Sequence, residues 1–135
     1  FLLGKFIKEQ DLGIVLSAPL DVVLSQENVL QPDLLFISKD RMDIITDLNI
    51  QGAPDLVVEI FSPSTADRDR TYKKTLYARY GVKECWLVDP EEKTVEVWVL
   101  GERGYERKTL YRERESLASP LLIDFRMDLR EVFNG

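Results

Sequence analysis

The chain has 135 residues, of which 44% are hydrophobic and 31% charged, enough for one domain around one core, too short for two ordinary domains and too apolar for disorder. With 24 acidic residues against 18 basic ones the net charge is −6, so bulk charge does not draw the chain to nucleic acid. There is no histidine, which excludes Ser-His-Asp and Cys-His catalysis, histidine-ligated zinc and histidine general bases within the chain.

The first residues, Phe1 to Asp11, place Leu2, Leu3, Phe6 and Ile7 at helical spacing before Gly13, which predicts the tail of an amphipathic helix. Residues 13–25 read as a strand interrupted by Pro19, with Ile14-Val15-Leu16 before it and Val22-Val23-Leu24 after it. Gln31-Pro32 opens a short strand, Leu34 to Ile37, and the polar stretch 38–47 has room for one helical turn. Gly52-Ala53-Pro54 is a turn signal, and Asp55 to Phe61 is an apolar run of the central-strand type with one charge inside it. Ser62-Pro63-Ser64-Thr65 reads as a helix start, with Ser64 and Asp67 at capping-box spacing and Gly81 at the C′ position after Tyr80. Glu84 to Asp89 is another apolar strand, and the alternation of Val95, Val97 and Val99 predicts its hairpin partner. Gly101 to Gly104 is a turn, Tyr105 to Tyr111 a further strand, and Leu129 to Phe133 a closing helix or turn. This order suits one sheet flanked by helices, with the 55–61 and 84–88 strands parallel across the intervening helix.

Cys85, the single cysteine, lies in an apolar run and reads as a small core residue; a cytoplasmic, reducing compartment is the corresponding expectation. No apolar run approaches the roughly 20 residues needed to cross a bilayer, and no secretory leader pattern is present, so no membrane partner is expected. The start at Phe1, without methionine, reads as a fragment or a trimmed chain.

Any catalysis must therefore use carboxylates, lysines, arginines, tyrosines or a metal, and carboxylates favour hard ions such as Mg²⁺ or Mn²⁺. Asp55 and Glu59 share one strand face with Val57 between them. Glu59 is the sharper anomaly, because a carboxylate among Val57, Val58, Ile60 and Phe61 needs a cation or donors nearby. A divalent ion would serve, and so would a lysine or arginine at the strand end; the residues alone leave both open. Asp33, after Pro32, is by itself a turn residue, but if its strand neighbours 55–61 it could share one metal with Glu59. Lys73 stands on the helical stripe with Leu76, Tyr77 and Tyr80 that should face the sheet, while Arg70 and Lys74 fall further towards solvent. Beside two carboxylates Lys73 could position a water or steady a phosphate; the plainer reading is a snorkelling lysine. Arg68, Arg70, Lys73, Lys74, Arg79 and Lys83 form a basic run that could meet a phosphate backbone or simply be a solvated helix face. Tyr77 and Tyr80 read as core aromatics, and Trp86 and Trp98 as packing residues.

Several of these stretches match a known family in register. Gln31-Pro32-Asp33-Leu34-Leu35-Phe36, the block from Gly52-Ala53-Pro54-Asp55 through Glu59-Ile60 to Ser62-Pro63-Ser64-Thr65, then Asp69, Lys73, Tyr77, Gly81-Val82 and Glu84 through Pro90, and finally Leu117 to Leu122, resemble the Uma-two family of putative restriction endonucleases, in the PD-(D/E)XK nuclease superfamily. The resemblance covers nearly the whole chain as one domain, 1–135, and its 52–90 block is specific. It implies an α/β, restriction endonuclease-like fold, a mixed central β-sheet flanked by α-helices. It implies Asp33 and Glu59 as acidic metal ligands for Mg²⁺ or Mn²⁺, with Asp55 similar to a second aspartate that accompanies them. The superfamily's lysine, two residues after the acidic strand residue, is here Phe61; its role looks transferred to Lys73 on the following helix. The resemblance implies a metal-dependent endonuclease acting on DNA phosphodiester bonds, with a homodimer as the common assembly, and an N-terminal helix-strand segment ahead of Phe1. Two rivals remain on the residues alone: a nuclease-fold module that binds protein or nucleic acid without cutting, and a metal-free carboxylate-pair hydrolase such as a glycosidase.

Overall fold

The computed structural model describes residues 2–61 and 66–134, with side chains for all of these except 66–69 and 134. The elements in chain order are α1 (Leu2–Glu9), β1 (Gly13–Ser17), β2 (Val22–Val23), β3 (Val29–Leu30), β4 (Leu34–Ser38), a 3₁₀ helix (Lys39–Ile44), β5 (Ile50–Gln51), β6 (Leu56–Ile60), α2 (Ala66–Arg79), β7 (Glu84–Asp89), β8 (Thr94–Gly101), β9 (Gly104–Arg112), β10 (Ser116–Ala118), β11 (Arg126–Asp128) and α3 (Leu129–Asn134). The main sheet has six strands in the order β1-β4-β6-β7-β8-β9. It is mixed: β6 and β7 run parallel across the α2 crossover, and the other neighbours are antiparallel. The parallel pair and the β7–β8 hairpin follow the apolar runs and valine alternation. The two small sheets, β3-β2-β5 and β10-β11, have strands of two or three residues, too short for a periodic signature. The predicted caps at Ser62 and Ser64 lie outside the described residues.

Alternation along the strands divides the apolar residues between two faces. On one face Phe36, Leu56, Val58, Trp86, Val95 and Val97 pack with Leu3 and Ile7 of α1 and Leu129 of α3. On the other, Leu35, Ile37, Val57, Phe61, Cys85 and Leu87 pack with Tyr77 of α2. Helices therefore cover both faces, as the parallel pair requires. Cys85 is a free, buried core residue. Among the described residues no helix is long and apolar enough to cross a membrane.

Two glycines carry backbone constraints. A Cβ on Gly13 (φ +152°) would meet the Ile37 carbonyl oxygen at 2.1 Å, so only glycine lets β1 close onto β4. Gly81 (φ +86°) ends α2 in the left-handed conformation its C′ position predicts.

Glu84 holds the closing segment to the sheet. It is 1% exposed and accepts hydrogen bonds from Trp86 Nε1 (2.7 Å), Ser119 Oγ (2.5 Å) and the Leu121 amide (3.0 Å). Phe125 then stacks on Trp86 at 6.0 Å between ring centroids and meets Phe6 edge-on at 5.1 Å. Removing the carboxylate strands several buried donors, each worth about 1–3 kcal/mol. Glu84→Ala is therefore expected to lower the unfolding free energy by about 3–5 kcal/mol in urea titrations; a loss under about 1 kcal/mol would show that the segment is held by apolar packing alone.

Candidate active site

The register of β4 against β6 assembles the site. Leu34 pairs with Val58 and Leu35 with Val57, so the next position along that register sets Asp33 opposite Glu59. Both lie on the α2 side of the sheet, in phase with Leu35, Ile37 and Val57. Glu59 is 2% exposed. Its Oε2 accepts from the Tyr77 hydroxyl at 2.5 Å, and its Oε1 lies 3.3 Å from Lys73 Nζ. Asp33 is half-buried, and its Oδ2 accepts from the Ile60 amide at 2.7 Å, which ties this carboxylate to the end of β6.

Burial pushes the Glu59 carboxyl above its usual range; the Tyr77 hydrogen bond and the Lys73 charge oppose the rise, and the Asp33 charge adds to it. The Tyr77 hydroxyl is driven strongly upward, first by burial and then by the Glu59 charge, so it serves as a donor and not as a base. A buried carboxylate facing a second carboxylate is where a cation is most stabilising.

The structure brings together Asp33, Glu59 and Lys73. It does not bring Asp55 to them. Asp55 shares the Glu59 face but stands four residues back, about 13 Å along the strand. There it accepts from the Ser38 amide (2.7 Å) and pairs with Arg41 (3.2 Å) and Lys83 (3.3 Å). Burial raises the Asp55 carboxyl, but the Ser38 amide and the Arg41 charge outweigh it and hold the group below its usual range. The expected metal role of Asp55 alongside Glu59 therefore has no geometric basis: its oxygens face a backbone amide and two cations at the other end of β6. Among the described residues no group of three or more His, Cys, Asp or Glu is placed to hold a metal ion. Asp33 and Glu59 form a pair, an all-oxygen donor set of the kind that suits Mg²⁺, which keeps several waters and takes phosphate oxygens as further ligands.

Two basic residues depart from the expected solvent-facing positions. Arg70 reaches Glu96 Oε2 at 3.2 Å and Asp89 Oδ2 at 3.9 Å, with its guanidinium 5.1 Å above the Phe61 ring. Lys74 Nζ lies 3.3 Å from the centroid of the Trp98 ring. Arg70 precedes Tyr77 by seven residues, two helical turns, and so shares its azimuth; this spacing was the available signal. Arg70 thus puts a cation over Phe61, two residues after Glu59. Part of the predicted basic run is paired with acids of the sheet, Lys83 with Asp55 and Lys73 with Glu59; Lys83 and Arg79 are exposed, and the Arg68 side chain lies outside the described residues. Sequence reading also missed the Tyr77 hydroxyl, because tyrosine at a buried helical position looks the same whether or not its OH has a partner.

A mixed sheet with a carboxylate pair at the end of two neighbouring strands, and a lysine brought in from the crossover helix, defines a restriction endonuclease-like protein. The chain belongs to the Uma2 family, described as "Putative restriction endonuclease", which matches residues 1–130. Among solved structures it is similar to a crystal structure described as a "putative nuclease belonging to DUF820" from Anabaena variabilis ATCC 29413. The TM-score is 0.79 and the identity 19%, over 98% of this chain and 74% of that one. No curated protein matches the chain.

Two outcomes follow from the electrostatics. The folded chain binds the Glu59 proton more tightly than the unfolded chain, so the group favours folding most below its unfolded pKa, about 4.3. That contribution is lost as pH rises through the higher folded value. Glu59→Gln, neutral throughout, is therefore expected to raise the Tm of the metal-free protein at pH 7 by roughly 2–5 °C, the gap narrowing towards pH 4; an unchanged or lower Tm at pH 7 would contradict the sign. Asp55 behaves in the opposite sense: its contribution is present above the usual aspartate range and is lost as pH falls through the depressed folded value. Asp55→Ala should cost about 2–3 kcal/mol at pH 7 in urea unfolding, and less in acid; a cost that does not change with pH would remove the carboxylate's charge from the account.

Proposed function

We propose that this chain is a metal-dependent nuclease that hydrolyses DNA phosphodiester bonds. Family and fold support nuclease function in general. The observation that carries the finer reading is the pairing of Asp33 with Glu59 across β4 and β6, with Lys73 on Glu59. Asp33 and Glu59 would hold Mg²⁺ or Mn²⁺, and the ion would supply Lewis-acid polarisation of the scissile phosphate and a more acidic bound water. The chain's own residues do the rest. Asp33, braced by the Ile60 amide, is the more exposed of the two carboxylates. Glu59, behind it, is held by Tyr77. Lys73, beside Glu59, would supply positive charge to negative charge building on the phosphate. Arg70, fixed by Glu96 and Asp89, adds a second positive charge on the same helix.

A cytoplasmic setting and a homodimer, in which two sites address two strands, belong to this reading. A second reading, a nuclease-fold module that binds protein or nucleic acid without cutting, is favoured by one observation: among the described residues no group of three or more His, Cys, Asp or Glu is placed to hold a metal ion.

Calorimetric titration of the protein with Mn²⁺, beside a Glu59→Ala variant checked for folding by circular dichroism, separates the two. The nuclease reading expects a binding heat that disappears in the variant, and nicking of supercoiled plasmid in Mg²⁺ that disappears with it. Plasmid binding without Mn²⁺ heat or nicking would establish the module instead.

A further inference from the structure

Glu59 is a glutamate with three rotatable side-chain bonds, yet a metal ligand must present its oxygen in one direction. The two oxygens of Glu59 have different partners. Lys73, which meets Oε1, is a long side chain still 23% exposed. Tyr77, which meets Oε2, is fully buried. Its ring is packed among Leu35, Ile37, Val57, Val82, Cys85 and Leu87, so the position of its hydroxyl is set by the core. The 2.5 Å contact therefore joins Glu59 to the most rigid part of the α2–sheet interface. The Tyr77 backbone is fixed as well, because the Val82 amide donates to the Tyr77 carbonyl at 3.0 Å just after the helix ends.

We propose that Tyr77 is a positioning residue for metal binding: its hydroxyl pins Glu59 Oε2 so that Oε1 is turned towards the place an ion shared with Asp33 would occupy. This rests on the metal reading above. Tyr77 touches neither substrate nor ion in this arrangement and acts only through Glu59. Lys73 and Tyr77 then have opposite effects on the same carboxylate. Tyr77 orients it for a cation, while the Lys73 ammonium competes with a cation for it.

That opposition provides the test. Tyr77→Phe keeps the ring and its packing and deletes only the hydroxyl; Lys73→Met keeps the stem and deletes the charge. Both variants and the unsubstituted protein are titrated with Mn²⁺ by calorimetry, with folding checked by circular dichroism and Tm. Tyr77→Phe is expected to weaken Mn²⁺ about 10–100-fold, the usual cost of losing a hydrogen bond behind a metal ligand. Lys73→Met is expected to leave Mn²⁺ affinity unchanged or raise it. Unchanged Mn²⁺ affinity in Tyr77→Phe, with or without a fall in Tm, would overturn the positioning role while leaving the metal site intact. Equal weakening in both variants would also overturn it, since any loss of a donor would then suffice. Absence of Mn²⁺ binding in the unsubstituted protein would overturn the metal reading itself, and this role with it.

Discussion

The carboxylate of Glu59 sits in the middle of a six-stranded sheet, on a strand whose other residues from Leu56 to Val58 are all buried. A charge in that position is unfavourable by several kcal/mol unless groups around it compensate, and the compensation organises the α2 side of the molecule. Tyr77 and Lys73 both come from one helix, seven and three residues after Arg70, and all three reach the sheet. The helix must therefore lie at one depth and one rotation on β6, β7 and β8. Its C-terminal glycine and the Val82 return to the Tyr77 carbonyl fix where it stops.

The opposite face shows what the same residue type does when no charge is needed nearby. Glu84 is as buried as Glu59, yet its partners are an indole, a hydroxyl and a backbone amide. Those neutral donors satisfy the carboxylate fully and join β7 to the closing segment. Glu59 instead meets a phenol, a lysine and the field of a second carboxylate. One glutamate is finished within the fold; the other has one partner, the Lys73 ammonium, that a cation could replace. This difference in partners, more than burial, separates the structural acid from the candidate catalytic one. Asp55 is compensated in a third way, by the Ser38 amide together with the Arg41 and Lys83 charges at the other end of β6.

The balance of charge on α2 bears on how the protein would meet a polyanion. Its run of lysines and arginines suggests a basic face, but the sheet beneath it carries Glu59, Asp89 and Glu96, and the helix cations turn inward to them. Charges locked into such pairs attract a distant phosphate weakly, because each is offset within a few ångströms. Attraction of DNA to this end of the sheet would then fall chiefly to a bound divalent ion, consistent with a chain whose total charge is −6.

The order of the large elements was legible in the sequence because each depends on a local pattern. Strands β6 and β7 are apolar runs, β8 places valine at every second position from Val95 to Val99, and α2 ends at a glycine in the left-handed conformation that glycine adopts most readily. Glu59 was legible as an anomaly against those patterns, whereas Asp33 and Lys73 by themselves read as a turn residue and a snorkelling lysine and became candidates only in combination with it. The short strands of the two small sheets were not, since two or three residues have no period to detect. Nor could a common strand face separate Asp55 from Glu59: alternation tells which side a residue faces, and only the register of β4 against β6 tells what stands opposite it. The same limit hid Arg70 and the Tyr77 hydroxyl, whose partners lie on strands 18 or more residues away. Local chemistry thus determined which elements form and which acids are out of place. Tertiary pairing decided which of those acids meet, because the energy of a buried charge depends on neighbours that are distant in sequence.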